Sequence, residues 1–437
     1  MNYTLLVYLL TISATALDII HQKAVVPSSE KSIETTANYT LIDQQRYHAT
    51  YSFIHSERNT ILQEEGLFSF YDKLWALKTG RIKRVNIVQI GDSHTQPDLI
   101  AREVRSGLQR FFGDAGRGLV FPYQVARTNG PFDISSSTPT RWLHSQISRP
   151  HASNHLGIAG FSLRKSNGNG MVRLSLKPDI DADQQLFDYV KLFVGQGTWQ
   201  VHSVDGRATT YTVKQSQQTT SEPQEIYLKS PTHSIDIRST AGNPYFFGAS
   251  LEKKDASGVL FHTIGVNGAR YKQYNDEPLF WAQLPALQAD LYILSLGTNE
   301  AFYNDMTEEA YINDVSETIA KIQTINPKAA ILVSTTAESF KYGKINPMIE
   351  RLNLAVKFYC HKMGIPVWDL FEITGGSGSA QEWLKNDLLQ ADKIHYQQKA
   401  YSMQGALLFD ALANGYNQFI EQKSSTVEFP MAKTEDK

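Results

Sequence analysis

A serine that closes an apolar run and precedes a helix is a strong position for a nucleophile. Its hydroxyl stands clear above a sheet, and its own backbone N–H points toward an incoming oxyanion. Gly91-Asp92-Ser93 offers that position. A serine hydroxyl at its ordinary pKa attacks poorly, so a base and a carboxylate to orient the base are needed. Asp392-Lys393-Ile394-His395 can supply both from one loop just ahead of a helix. A three-residue separation lets the Asp392 carboxylate reach Nδ1–H while Nε2 of His395 faces the serine. Acyl transfer further needs donors about 3 Å from the developing charge. Gly268, in Gly265-Val266-Asn267-Gly268-Ala269, could give a backbone N–H, and the Asn299 side chain, at the end of a buried strand, could give another. Singly, Gly-Asp-Ser is ordinary turn chemistry and Asp-x-x-His an ordinary surface pair.

The elements that must position these residues follow an alternating grammar. Val85 to Ile90 reads as a buried strand, and after Pro97 the chain through Phe112 reads as a helix with Leu99, Ile100, Val104, Leu108 and Phe111 on one face. Leu291 to Leu296 is a second strand, ending in Gly297-Thr298-Asn299-Glu300. The helix beyond it has Thr307 as N-cap and Ile312, Val315, Ile319 and Ile322 at helical spacing. Ala329 to Val333 and Pro366 to Leu370 add strands on either side of a helical stretch from Met348 to His361. Such alternation predicts a parallel sheet covered on both faces.

Between about 126 and 262 the grammar changes to short strands: Val172 to Leu174, Val190 to Val194, Tyr211 to Val213, Ile226 to Leu228 and Ile235 to Ile237, separated by turn residues. An all-β sandwich or jelly roll is expected there, inserted into an α/β domain made of 51–125 and 263–437. Residues 17–50 read as a polar linker or wrap. The apolar run from Thr4 to Ile12, leading to Ala14-Thr15-Ala16, resembles a secretory leader cleaved after Ala16, so residues 1–16 are expected to be a signal peptide. An exported, periplasmic protein is the corresponding expectation.

The 437 residues carry 42 basic and 44 acidic side chains without a block of one sign, which gives no sign of a nucleic-acid or membrane-surface partner. No later apolar run is long enough to span a bilayer. Cys360 is the only cysteine, so an intramolecular disulfide and a thiolate metal cluster are excluded, and core packing is its expected role.

In order and placement, the serine, glycine, asparagine and histidine blocks resemble those of the SGNH hydrolases, across roughly 81–125 and 262–416. The strings G-D-S-H, G-V-N-G-A and G-T-N-E-A-F are similar to those of Gram-negative peptidoglycan O-acetylesterases, which also carry a carbohydrate-binding-module-like β-sandwich between the serine and glycine blocks. The resemblance implies a flavodoxin-like three-layer α/β domain with Ser93 as nucleophile, His395 as general base and acid, and Asp392 as its orienter. It implies an oxyanion hole built from Ser93 N–H, Gly268 N–H and the Asn299 amide. The implied substrate is an acetyl ester on the muramic acid of peptidoglycan, hydrolysed through acetyl-Ser93 without metal or cofactor. An acetyltransferase using the same intermediate, an esterase for another acetylated polysaccharide and a wall-binding protein with a vestigial site are the rival readings.

Asp92, His94 and Glu300 are candidate supporting residues: His94 for lining the pocket or a structural hydrogen bond, Glu300 for orienting the Asn299 loop. His151 and His155 have a metal-like spacing if helical, but Pro150 and Gly157 bound them and no carboxylate partner is near, so no metal is expected. Aromatics in Gly195 to Trp199 and Asn243 to Phe247 are candidates for stacking on sugars or for core packing.

Overall fold

The computed structural model describes residues 41–42, 51–149, 155–165, 169–178, 185–204, 210–217, 219–240 and 242–425. The expected leader, nearly all of the 17–50 segment and His151 lie outside the described residues.

Five parallel strands form the central sheet: β1 (Arg84–Gly91), β2 (Gly258–Gly265), β3 (Leu291–Ser295), β4 (Ala330–Ser334) and β5 (Val367–Trp368). Their order is β2-β1-β3-β4-β5, with Ile61–Leu62 antiparallel on the β5 edge. This is the doubly wound order in which the strand sequence reverses between β1 and β3, so the crevice beyond their carboxyl ends is where a ligand is received. Apart from the half-buried Arg84 and Ser295 at their ends, the interior strands are buried along their length, as a sheet covered on both faces requires.

Period-two alternation divides the strand residues between two sides. Val88 and Ile90 of β1, Tyr292 and Leu294 of β3 and Ile331 and Val333 of β4 share one apolar cluster with Tyr311, Val315, Ile319 and Ile322, and with Leu352 and Val356. These belong to two helices, Glu308–Ile325 and Pro347–Met363. Thr307 caps the first as expected, accepting the Ala310 N–H at 3.1 Å. The helix after the serine block runs Leu99–Phe112, and its inward residues end in Phe112 rather than Phe111. Phe111 instead lies half-exposed under the Lys78 ammonium, 3.7 Å from its ring centroid.

The β-rich stretch makes two antiparallel sheets. One runs Thr210–Gln215, Gly197–Ser203, Ser234–Ser239, Gly170–Leu176, Ile134–Ser137; the other runs Gln224–Thr232, Phe187–Val194, Tyr245–Glu252, Phe161–Arg164, Leu143–Gln146. Gly116–Val120 joins the second by pairing with Tyr245–Glu252. The expected limits of 126 and 262 therefore shift at both ends. Antiparallel pairing begins at Gly116, and Gly258–Gly265 is a full parallel partner of β1. The core of these sheets (Leu174, Leu192, Trp199, Ile237, Phe246) is continuous with the cluster under the parallel sheet, and the described residues from Ile42 onward belong to one compact unit. Trp199, Tyr245, Phe246 and Phe247 all lie in that core, so none of them offers a face to a sugar. Cys360 is buried as expected.

No helix among the described residues is long and apolar enough to cross a membrane.

Candidate active site

Strand β1 ends at Gly91 because the chain must turn there against two neighbours. A methyl group on Gly91 would lie 2.0 Å from Thr95 Oγ1 and 2.8 Å from the Ser295 carbonyl oxygen, so only glycine lets the serine loop close over the sheet. The loop is held by Thr95 and Gln96 N–H groups donating to the Asp92 carbonyl at 3.1 and 2.9 Å. Ser93 is thereby raised at the switch point between β1 and β3.

The C-terminal loop reaches the same place. Lys393 adopts φ 59°, which reverses the chain so that both ends of Asp392-Lys393-Ile394-His395 point inward. Asp392 Oδ1 accepts the N–H groups of Ile394 and His395 at 2.9 and 3.0 Å, and Oδ2 pairs with His395 Nδ1 at 2.6 Å. His395 Nε2 is 2.8 Å from Ser93 Oγ. The long helix Gln398–Ser425 starts three residues later and anchors the loop. Burial pushes the Asp392 carboxyl up, but the His395 ring and the two N–H donors outweigh it and hold the group below its ordinary range. It is thus anionic at neutral pH, as an orienting carboxylate must be.

The oxyanion candidates stand opposite. Gly268 has φ 79°, a left-handed conformation in which a side chain is strained. Neither its N–H nor that of Ser93 donates to a partner among the described residues. Asn299 differs from expectation: β3 stops at Ser295, and Asn299 sits in the first turn of a short helix, Thr298–Phe302. Its amide carries two hydrogens. It donates to the Ala269 carbonyl at 3.0 Å and to Asp92 Oδ2 at 3.2 Å.

The three supporting candidates all make contacts around the serine and asparagine loops. Asp92 is buried, and burial pushes its carboxyl up to about 7 against the pull of the His94 N–H, the His395 charge and the Asn299 amide. His94 pairs through Nδ1 with the Tyr401 hydroxyl at 2.8 Å, and its ring lies 5.1 Å from that of His395. With Nε2 buried and His395 alongside, the ring is pushed down to about 3 and stays neutral. Glu300 Oε1 accepts the Tyr271 N–H at 2.7 Å, tying the asparagine helix to the segment that follows Gly268. Burial raises the Glu300 carboxyl to about 8.

A second layer of residues was not visible in the sequence. Gln96 Oε1 accepts the Asn267 N–H at 2.6 Å, while Gln96 Nε2 donates to the Asn129 carbonyl at 2.7 Å. Asn267 Nδ2 donates to Asn129 Oδ1 at 2.6 Å, and Ser148 Oγ donates to the Asn267 carbonyl at 2.5 Å. The serine loop, the glycine block and two loops of the β-rich stretch thus meet around Asn267, directly before Gly268. Polar residues in loops have no periodicity, so nothing in one sequence signals this meeting. His155 lies outside any helix and packs edge-on against Tyr245, and no group of three potential metal ligands occurs among the described residues.

Residues 231–403, which include Gly268, Asn299, Asp392 and His395, match the GDSL-like lipase/acylhydrolase family. No match was found among curated proteins. Among solved structures, the chain is similar to a peptidoglycan O-acetylesterase, with 22% identity, 85% of this chain and 99% of the other covered, and a TM-score of 0.67. That likeness shows a shared fold. It is also similar over shorter spans to a member of the lipolytic G-D-S-L family from Veillonella parvula (16% identity, 35% of this chain and 79% of the other, TM-score 0.28). A GDSL-like lipase from Bacteroides thetaiotaomicron matches comparably (16% identity, 38% and 76%, TM-score 0.27).

Proposed function

We propose that this chain, which carries a GDSL-like lipase/acylhydrolase domain, is a serine esterase that removes O-acetyl groups from cell-wall glycan, its substrate being O-acetylated muramic acid in peptidoglycan. The observation that carries the chemistry is the continuous relay from Asp392 through His395 to Ser93 Oγ, with contacts of 2.6 and 2.8 Å. The substrate is supported by the shared fold with a peptidoglycan O-acetylesterase and by the sequence blocks described above.

In this reading, Ser93 Oγ attacks the acetyl carbonyl carbon as its proton passes to His395 Nε2. The tetrahedral oxyanion is received by the free N–H groups of Ser93 and Gly268. The Asn299 amide joins them by giving up its longer contact, the one to Asp92. His395 then returns the proton to the sugar oxygen as the ester C–O bond breaks, leaving acetyl-Ser93. Water, deprotonated by His395, attacks that ester, and acetate leaves as Ser93 regains its proton.

The test is acetate release from O-acetylated peptidoglycan, chemically de-O-acetylated peptidoglycan and acetylated xylan, with Ser93→Ala and His395→Ala as controls. Release from the first alone, lost by several orders of magnitude in both variants, is the expected result. Preference for xylan would overturn the substrate, and a near-normal rate in either variant would overturn the mechanism. Such a substrate lies outside the cytoplasmic membrane, which supports an exported, periplasmic protein with the apolar run from Thr4 to Ile12 as export signal. Amino-terminal sequencing of the exported protein should begin at Leu17, and retention of Met1 would refute that placement.

A further inference from the structure

The loops that brace the glycine block carry charge that nothing in the fold uses. Thr128 and Ser148 both bond Asn267, Thr128 Oγ1 accepting from its amide at 3.3 Å and Ser148 Oγ donating to its carbonyl at 2.5 Å. A side chain on Gly268 would lie 3.5 Å from Ser148 Cβ, so the Ser148 loop stands directly against the residue that offers the free N–H. The next residues along these loops are Arg127 and Arg149, both exposed, and neither guanidinium has a carboxylate partner among the described residues. His144, half-buried on the same strand-and-loop segment, is held below its ordinary pKa by burial and then by the positive charges of Arg127 and Arg149. The two loops meet at Asn267 through Thr128 and Ser148, so the arginines beside those two residues project from one junction, and both act on His144.

Like charges brought together without a counter-charge are destabilising. Two buried arginines near the serine block are neutralised by contrast: Arg105 pairs with Asp98 at 2.7 Å, and Arg117 bonds both Asp98 and Asp133. Two exposed guanidinium groups, each on the residue next to one that braces the glycine block, suit a ligand that brings the missing negative charge. Guanidinium is the group best matched to a carboxylate, through two parallel N–H donors.

We infer that Arg127 and Arg149 form an anion subsite on the rim of the active site, which binds a carboxylate carried by the alcohol part of the ester substrate. This rests on the esterase reading above and deepens it, because peptidoglycan strands bear carboxylates on their stem peptides, and on lactyl groups from which the peptide has been removed, whereas xylan backbones are neutral. The subsite would hold the glycan while its acetyl carbonyl lies at Gly268, and it would make substrate binding sensitive to salt.

The experiment compares wild type, Arg127→Gln, Arg149→Gln and the double variant on two pairs of substrates. One pair is O-acetylated peptidoglycan and the same material with its carboxylates amidated. The other is 4-acetoxybenzoate and its methyl ester. In the double variant, KM for each carboxylate-bearing substrate should rise about tenfold more than KM for its neutral partner, as expected for loss of a charge-assisted contact. Wild-type preference for the charged member should fade as salt rises from about 0.05 to 0.5 M. Equal KM changes on charged and neutral partners, or no wild-type preference for charge in either pair, would overturn the subsite. Failure to release acetate from peptidoglycan would defeat the parent substrate reading instead, and the benzoate pair would still decide the role of the arginines. Both side chains are exposed, so the variants should fold, and unchanged circular dichroism would check this.

Discussion

Replacing Asp392 by asparagine should damage this enzyme more than replacing it by alanine, although asparagine is the closer match in shape. Asp392 Oδ1 accepts two backbone N–H groups, and Oδ2 faces His395 Nδ1. An asparagine keeps the backbone pair only by placing its carbonyl oxygen where Oδ1 is now. Its NH2 then points at Nδ1 and makes that nitrogen an acceptor. The ring proton is driven to Nε2, the atom that must take the proton from Ser93, and the base is held in the wrong tautomer. Turning the amide round restores the tautomer but sets an NH2 against two N–H donors. The expected loss in kcat is roughly 10³–10⁴. With alanine the tautomer is free. The carboxylate position is 44% exposed, so water can accept the Nδ1 proton. The loss is then that of one charge-assisted hydrogen bond, about 1.5–3 kcal/mol or roughly 10- to 100-fold, toward the lower end for so exposed a contact. The assay is kcat/KM on a small acetyl ester across pH for wild type, both variants and His395→Ala, with folding followed by circular dichroism. An asparagine variant as active as the alanine variant, or more so, would refute the tautomer reasoning.

Asn299→Ala should lower kcat by roughly 10²–10³ with a much smaller change in KM, since its amide is needed only when charge develops; loss through KM alone would make it a binding residue. Gln96→Leu removes both the acceptor for Asn267 N–H and the donor to the Asn129 carbonyl, so kcat should fall roughly 10- to 100-fold with KM little altered, and normal kcat with a lowered Tm would show a purely structural role. Glu300 is protonated in the folded protein up to about pH 8, whereas an unfolded carboxyl ionises near its ordinary value of 4.5. Between those limits the folded state binds more protons, so stability falls as pH rises, by about 1.4 kcal/mol per pH unit for this group. Glu300→Gln should flatten the decline measured by urea unfolding from pH 5 to 8, although Asp92 leaves a parallel decline up to about pH 7. An unchanged slope in the variant would show that Glu300 ionises freely in the fold.

What the chain alone determined is everything that depends on local order. Apolar runs of strand length, helical spacing after them and turn residues between them specify the alternating elements, because burial and backbone hydrogen bonding act on neighbours in sequence. The Ser93 loop follows from Gly91, and the Asp392 to His395 contact from a three-residue separation within one loop. The short helix at Asn299 was hidden because five residues are too few to show a helical period, so the asparagine read as a strand end. The limit of the β-rich stretch is not legible in the sequence because Gly258–Gly265 is buried on both faces, as strands of either kind of sheet here are, and only pairing with β1 shows that it belongs to the parallel sheet. Tertiary structure alone decided that Ser93 and His395, 302 positions apart, meet at 2.8 Å. It also decided that Gln96, Asn129 and Ser148 converge on Asn267, and that the Asn299 amide is shared between Asp92 and Ala269. Such polar meetings are set by where the packed sheets bring loop ends together, and a sequence records the loops but not the distances between them.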